Sequence, residues 1–130
     1  MDVPPPNSVP NSDPGFERNM SDSTENPRGR NLIDGCSPGG SVIVDVADPA
    51  LTMGLSVFET LRSYRGKVPL LARHLARLER GGARMGLSCP TPSIRDEVLR
   101  VIAGYKCDQK IRITLFGDAR RVICATPAPP

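Results

Sequence analysis

The chain has 130 residues, enough for one domain at most, and its 14 prolines and 12 glycines indicate that part of it does not build a core. It contains no apolar run long enough to cross a bilayer and no secretory signal, so we expect a soluble cytoplasmic protein. Four widely spaced cysteines and one histidine predict free thiols and argue against a disulfide framework or a metal site.

The charge is unevenly distributed. Three arginines against five acidic residues give residues 1–30 a net charge of −2. Because the whole chain has a formal net charge of +3, the remaining hundred residues carry +5. That excess is almost entirely arginine, the side chain that grips carboxylates and phosphates in a planar fork. A bias in base composition would produce the same enrichment, and the sequence alone leaves both explanations open.

Residues 1–30 are rich in Pro, Ser, Asn and Asp, a composition that cannot bury enough apolar surface to fold, and they predict a disordered tail. The following NLIDG, residues 31–35, predicts a short strand closed by a tight Asp-Gly turn. SVIVDV, residues 41–46, is the expected return strand of this hairpin.

The middle of the chain predicts two strands and two helices, the second strand being a short one after a turn at Arg65-Gly66-Lys67. Val57 to Tyr64 alternates without a purely polar side, which favours a central strand. A stripe at helical spacing (Leu71, Leu75, Leu78 and Met85) predicts a helix from Leu70 to about Met85, in which Gly81-Gly82 implies close packing. A second helix is expected from an N-cap at Thr91 to Gly104, with an inner face of Ile94, Val98, Leu99 and Ile102.

Two more strands are expected at Lys110–Phe116 and Val122–Ala125, followed by a stiff linker over residues 126–130. The element order β-β-β-β-α-α-β-β predicts an α+β fold, with a mostly antiparallel sheet packed against two helices. We therefore expect a disordered tail at 1–30, a small domain at 31–125 and the start of an interdomain linker at 126–130.

Three motifs occur together in this order: GLSVFETLR (54–62), a Gly-Lys hairpin (66–67) and HLARL (74–78). With NLIDG before them and ATPAPP after them, they resemble the amino-terminal domain of the fold-type IV pyridoxal phosphate enzymes. This family includes branched-chain and D-amino-acid aminotransferases and aminodeoxychorismate lyase. The resemblance covers residues 31–130.

The resemblance implies that Arg77 binds the phosphate of pyridoxal 5'-phosphate, the alternative being a solvated surface arginine. It also implies that Phe58, Arg62 and Arg112 face the substrate. The alternatives for these three are a core phenylalanine and two structural ion-pair arginines.

Glu59 lies on the opposite strand face from Arg62, and we interpret it as a buried structural carboxylate held by backbone donors or another arginine. His74 is interpreted as a packing histidine whose ring nitrogens are satisfied. Polar groups usual in the family are missing at Met53, at Gly54-Leu55-Ser56 and at Phe116-Gly117, which leaves the substrate specificity open.

The family chemistry needs a lysine that attaches covalently to the cofactor and a carboxylate opposite the pyridine nitrogen, and the resemblance places both in a second domain. The only lysines here, Lys67, Lys106 and Lys110, lie in a hairpin turn, after a helix end and at a strand start. We therefore expect no catalytic residue in this chain, an incomplete cofactor site and no activity of the chain alone.

Three functions remain open. The first is the small domain of a class IV aminotransferase or lyase acting on an amino-acid or aminodeoxychorismate-type substrate, completed by a homodimer or a complementary C-terminal domain. The second is a non-catalytic dimerisation or partner-binding module with the same fold. The third is an arginine-rich nucleic-acid binder, which the absence of Trp and of any basic run disfavours.

Overall fold

A four-stranded antiparallel sheet carries both main helices on one face. The structure, a computed structural model, describes residues 30–36 and 43–130. The elements are β1 (Arg30–Ile33), α1 (Pro49–Thr52), β2 (Ser56–Arg62), α2 (Leu71–Arg84), α3 (Thr91–Ile102), β3 (Gln109–Phe116) and β4 (Arg120–Pro127). The sheet order is β1-β4-β3-β2, and every pair is antiparallel. The α+β prediction is confirmed, whereas the tail predicted at 1–30 lies, except for Arg30, outside the described residues.

The helix face of the sheet forms the core. Alternate residues of β3 and β4 meet in register, with Ile111 opposite Ala125 and Ile113 opposite Ile123, and all four are fully buried. Helix α2 covers them with Leu71, Leu75 and Leu78, and helix α3 with Ile94, Val98, Val101 and Ile102. Because the strand period of two and the helix period of 3.6 place these apolar residues on facing surfaces, the two layers pack as the sequence predicts.

Strand β2 lies at the edge of the described sheet, so the prediction of a central strand is wrong. Its apolar outer residue is Phe58, which is 55% exposed. Within the described sheet, β2 has a neighbouring strand on one side only, and the Arg112 guanidinium of that neighbour stacks on the Phe58 ring. The mixed polarity that favoured a central position therefore reflects local packing on an edge strand.

The first hairpin is shorter than expected. Asp34 and Gly35 take positive φ angles of 51° and 83° and close a tight turn that bridges Ile33 to Cys36, which confirms the predicted turn. The expected return strand is wrong where it is described, because residues 43–46 form no strand. Strand β1 pairs instead with β4, some 90 residues later, and this long-range pairing leaves no local sequence pattern.

Both helices begin and end close to their predicted limits, but several predicted side-chain positions are wrong. Met85 follows the end of α2 and is 41% exposed, and Leu99 points outward while Val101 takes its place in the core. Thr91 is the first residue of α3, and its hydroxyl donates to Glu79 (3.0 Å) instead of capping the helix.

A buried ion pair joins α3 to β4. The Arg121 guanidinium donates from Nε and Nη2 to the two Glu97 oxygens at 3.0 and 2.6 Å, and this hydrogen bond raises the pKa of Arg121. The Arg121 backbone N–H also donates to Asp34 in the β1 turn. This contact explains how a glutamate can occupy the buried stripe of α3, because its charge is matched by a bidentate partner.

The two adjacent glycines of α2 should respond in opposite ways to alanine. A Cβ on Gly82 would meet Leu115 Cδ2 and the Leu87 carbonyl oxygen at 3.0 Å each, whereas one on Gly81 would meet only Val57 at 3.7 Å. We expect Gly82→Ala to lower the free energy of unfolding by about 1–3 kcal/mol through overpacking. Gly81→Ala should raise it by up to about 1 kcal/mol through helix propensity. Urea unfolding measures both, and equal stability of the two variants would contradict the packing described.

Candidate functional site

Glu59 is the centre of a polar cluster between β2 and α2. Its side chain is only 10% exposed, and Oε2 lies 2.8 Å from Nδ1 of His74 while Oε1 lies 3.4 Å from Nε of Arg77. An ionised carboxylate only accepts hydrogen bonds, so Nδ1 carries the hydrogen in this pair. Glu59 is thus held by another arginine, one of the two expected arrangements, and His74 has the satisfied ring nitrogen that the sequence predicts.

Arg77 extends from this cluster to the surface. Its side chain is 63% exposed, although its Nε is tied to the buried carboxylate. Since the ion pair engages Nε, the two terminal nitrogens of the guanidinium are left to face solvent. Those nitrogens form the planar fork that matches an oxyanion in a bidentate contact.

The exposed end of Arg77 opens into a cleft of about 560 Å³ between β2 and α2, which we call the basic cleft. Strand β2 contributes residues 56–59, and helix α2 contributes Arg77, Leu78, Arg80, Gly81 and Arg84. Its only carboxylate is Glu59. The basic cleft can therefore accept an anion, with a cationic wall on the helix side.

Phe58 connects the basic cleft to the open face of the sheet, the face that carries no helix. The Arg112 guanidinium lies 4.1 Å from the centroid of the Phe58 ring, and Cys124 is directly opposite Arg112 on β4. Thr60 flanks Arg112 on the other side. The structure thus brings Arg77, Phe58 and Arg112 together around one edge strand, with Arg77 on the helix side and Arg112 on the open side.

Arg62 lies apart from these three. Its Nη2 pairs with Asp108 at 3.6 Å, its Nη1 donates to the Pro129 carbonyl oxygen at 3.1 Å, and its guanidinium stacks on Tyr64. It lines a second cleft of about 470 Å³, together with His74, Lys110 and the residues after β4. These contacts match the alternative of a structural ion-pair arginine, and a substrate role for Arg62 stays a prediction.

The lysines do not reach the basic cleft. Lys67 closes the hairpin to Tyr64, Lys106 is exposed beyond α3, and Lys110 lines the second cleft. Among the described residues, no group of three His, Cys, Asp or Glu side chains is placed to hold a metal ion. None of the helices in the described ranges has the length and apolar character needed to cross a membrane.

The four cysteines are all free. Cys36 and Cys107 are exposed, whereas burial raises the pKa of the Cys124 thiol, an effect that the nearby Arg112 partly opposes. Burial likewise raises the pKa of Cys89. Cys124 is therefore protonated at neutral pH although it adjoins an arginine.

Sequence reasoning missed two residues of the basic cleft, Arg80 and Arg84. They follow Arg77 at spacings of three and seven, which places all three on one side of a helix. This periodicity was available in the sequence. It does not by itself show that the three side chains line a cavity, which depends on the facing strand.

Comparison with known proteins gives a consistent result. The family described as amino-transferase class IV matches residues 56–130. No curated protein sequence shows a significant match. The matched segment contains β2, both main helices, β3 and β4, and therefore the described lining of the basic cleft.

Several solved structures share the fold. The branched-chain aminotransferase of Thermoproteus uzoniensis, solved with norvaline, gives a TM-score of 0.67 at 24% identity over 78% of this chain and 41% of that one. The 4-amino-4-deoxychorismate lyase of Pseudomonas aeruginosa gives 0.58 at 31% identity over 76% of this chain and 40% of that one. A hypothetical aminotransferase of Mycobacterium tuberculosis, in a PLP-bound form, gives 0.62 at 25% identity over 78% and 40%. This chain spans 40–41% of the length of these three proteins.

Removing the Glu59 carboxylate should destabilise the fold. Glu59→Ala leaves the buried His74 nitrogen without its acceptor and frees Arg77, so we expect the free energy of unfolding to fall by about 1–3 kcal/mol. Glu79→Ala is the matched control, because Glu79 is an exposed α2 carboxylate bonded only to the Thr91 hydroxyl. Urea unfolding distinguishes them, and an equal, small loss in both variants would contradict a structural role for Glu59.

Proposed function

This chain belongs to the class IV aminotransferase family, and from that premise we propose that it forms the small domain of a pyridoxal 5'-phosphate enzyme of the aminotransferase or aminodeoxychorismate lyase type. Within that enzyme it supplies the cofactor-phosphate arginine and part of the substrate cleft. The remaining catalytic groups come from a second domain or chain, so these 130 residues are inactive alone.

The observation that carries this proposal is the contact between Arg77 and Glu59. The 3.4 Å ion pair through Nε anchors the arginine at its base, and the exposed end of the guanidinium opens into a cleft with two more arginines. A phosphate dianion needs a cationic site with fixed donors, and these side chains fit that need. The ion pair thus serves two purposes: it matches the charge of the buried carboxylate, and it fixes the arginine whose other end opens into the basic cleft.

The cofactor, when bound, supplies the electron sink for reactions at the α-carbon of an amino acid. This chain's contribution is to hold and orient the phosphate end. Arg77 would bind the phosphate, Glu59 would fix the direction of Arg77, and His74 would hold Glu59 in place. Glu59 and His74 are thus positioning residues.

The substrate side is proposed to lie around Phe58 and Arg112. The Phe58 ring contacts both the basic cleft and Arg112, so it can separate the phosphate end from a substrate carboxylate held by the Arg112 guanidinium. An amino acid or an aminodeoxychorismate-type molecule carries such a carboxylate. Arg62 is proposed as a further substrate residue because it lines the second cleft together with His74 and Lys110.

A partner surface is a second proposal, favoured by the open sheet face. Phe58 and Arg112 are exposed there, and no helix of the described residues covers this face. A complementary C-terminal domain or a second copy of the complete enzyme would shield it. The four free cysteines support placement in a reducing compartment, the cytoplasm.

Phosphate binding at Arg77 can be tested with 4-deoxypyridoxine 5'-phosphate, which lacks the aldehyde and cannot react with lysines. We expect Arg77→Gln to weaken its binding to the 130-residue chain about tenfold, the loss of one charge-assisted contact, as measured by isothermal titration calorimetry. Unphosphorylated 4-deoxypyridoxine should show no such difference. The control is Arg95→Gln, an exposed arginine on α3. The assignment fails if Arg77→Gln and the control bind the phosphate ester equally well.

The absence of a cofactor lysine from this chain can also be tested. Treatment with pyridoxal 5'-phosphate and borohydride should leave no stoichiometric pyridoxyl-lysine, because the basic cleft contains no lysine. Peptide mass spectrometry gives the site and occupancy, with a full-length family member as the positive control. Stoichiometric labelling of one lysine would show that the chain carries its own attachment site. Lys110 is the lysine to examine most closely, because it lines the second cleft.

A further inference from the structure

Helix α2 carries a line of four arginines. Arg73, Arg77, Arg80 and Arg84 recur at spacings of four, three and four, so they share one side of the helix, and all four are exposed. Glu79 is the only acidic residue within α2, which gives this one helix a net charge of +3. The charge excess of the domain is therefore concentrated on one surface.

Three of these arginines line a single cavity. Arg77, Arg80 and Arg84 line the basic cleft from α2, together with Gly81 of the same helix. Ser56 lines it from β2. Arg73 lies one turn earlier and does not line it. The basic cleft thus adds a concave shape to the concentrated charge, and such a shape focuses the potential on a ligand inside it.

The carboxylates near the basic cleft are already used. Glu59 pairs with His74 and Arg77, and Glu79 accepts from the Thr91 hydroxyl and does not line the cavity. Among the described residues, neither Arg80 nor Arg84 has an ion-pair partner within 4.0 Å. Two guanidinium groups therefore face the same cavity with no counter-charge from the fold.

We infer that the basic cleft binds a small ligand with two anionic groups, one at Arg77 and the second at Arg80 and Arg84. Neighbouring positions three or four apart on a helix place their Cβ atoms about 5–6 Å from each other. A single phosphate at Arg77 does not span all three guanidiniums, whereas a diphosphate or an ester with an added carboxylate does. This second subsite is formed by Arg80 and Arg84, and it therefore goes beyond the proposed contact between Arg77 and the cofactor phosphate.

A small ligand fits the cavity better than a nucleic acid does. Single-stranded nucleic acids are bound through bases stacked on exposed aromatic rings along an extended channel. The basic cleft is lined by one aromatic residue, Phe58, whose ring already stacks against the Arg112 guanidinium, so the described lining offers no row of rings for successive bases. Its volume of about 560 Å³ is that of a small-molecule site.

The test uses inorganic pyrophosphate and orthophosphate as probes at constant ionic strength, titrated into the full 130-residue chain by calorimetry. We expect pyrophosphate to bind about tenfold more tightly, because it engages two subsites. The double variant Arg80→Gln/Arg84→Gln should lower pyrophosphate affinity to that of orthophosphate, so that the tenfold preference for pyrophosphate is lost. Arg73→Gln, on the same side of α2 but outside the cavity, controls for loss of charge, and circular dichroism checks folding.

The outcomes separate the second subsite from the proposed cofactor contact. If Arg77→Gln has no effect on orthophosphate while the double variant still loses pyrophosphate, the cofactor contact fails and the second subsite stands. Equal affinity for the two anions, or an equal loss in Arg73→Gln and the double variant, would overturn the second subsite. It would also be overturned by tight oligonucleotide binding that weakens steeply with salt and depends equally on all four arginines.

Discussion

The carboxylate of Glu59 ties the edge strand to the helix that covers it. It is a charged group on the buried side of β2, flanked on the strand by Val57 and Leu61, and it is tolerated because His74 and Arg77 of α2 both turn toward it. A buried carboxylate without such partners would cost several kcal/mol. The direction of Arg77 and the polar contact between β2 and α2 therefore depend on one group.

That constraint places two kinds of chemistry on the two sides of one strand. Alternation along β2 sends Glu59 toward the helices and Phe58 toward the open face, only one residue apart. The exposed guanidinium of Arg77 and the exposed pair of Phe58 and Arg112 consequently meet around the edge of the sheet. In the proposed enzyme this edge separates the phosphate end of the cofactor from the substrate end.

Most of the fold could be predicted from the sequence because its signals are local. The apolar stripes of α2 and α3 and the alternation of β3 and β4 determine which side chains are buried, and these agree with the structure except at Met85 and Leu99, which are exposed. The pairing of β1 with β4 could not be predicted, since it joins segments some 90 residues apart. For the same reason the return strand expected at 41–46 was wrong over its described part, residues 43–46, because a nearby apolar run is not necessarily the partner.

The candidate site was only partly predictable. A carboxylate on a buried strand face predicted either backbone donors or another arginine as its partner, and the structure shows Arg77 together with His74. The sequence analysis did not predict the Glu97–Arg121 pair. Its signals in the sequence are a glutamate on the buried stripe of α3 and an arginine on the same side of β4 as Ile123 and Ala125. Which of these arginines meets a ligand depends on cavity shape, which no linear pattern contains.

In the proposed enzyme, Glu59 holds Arg77 so that its guanidinium binds a phosphate. The most direct measurement is an NMR spectrum of the arginine Nε–H groups of the chain, with the Arg77 signal assigned by its loss in Arg77→Lys, during titration with 4-deoxypyridoxine 5'-phosphate. We predict a saturable shift of the Arg77 signal, and loss of that response in Glu59→Gln. A saturable shift of another arginine with the Arg77 signal unchanged would contradict the account.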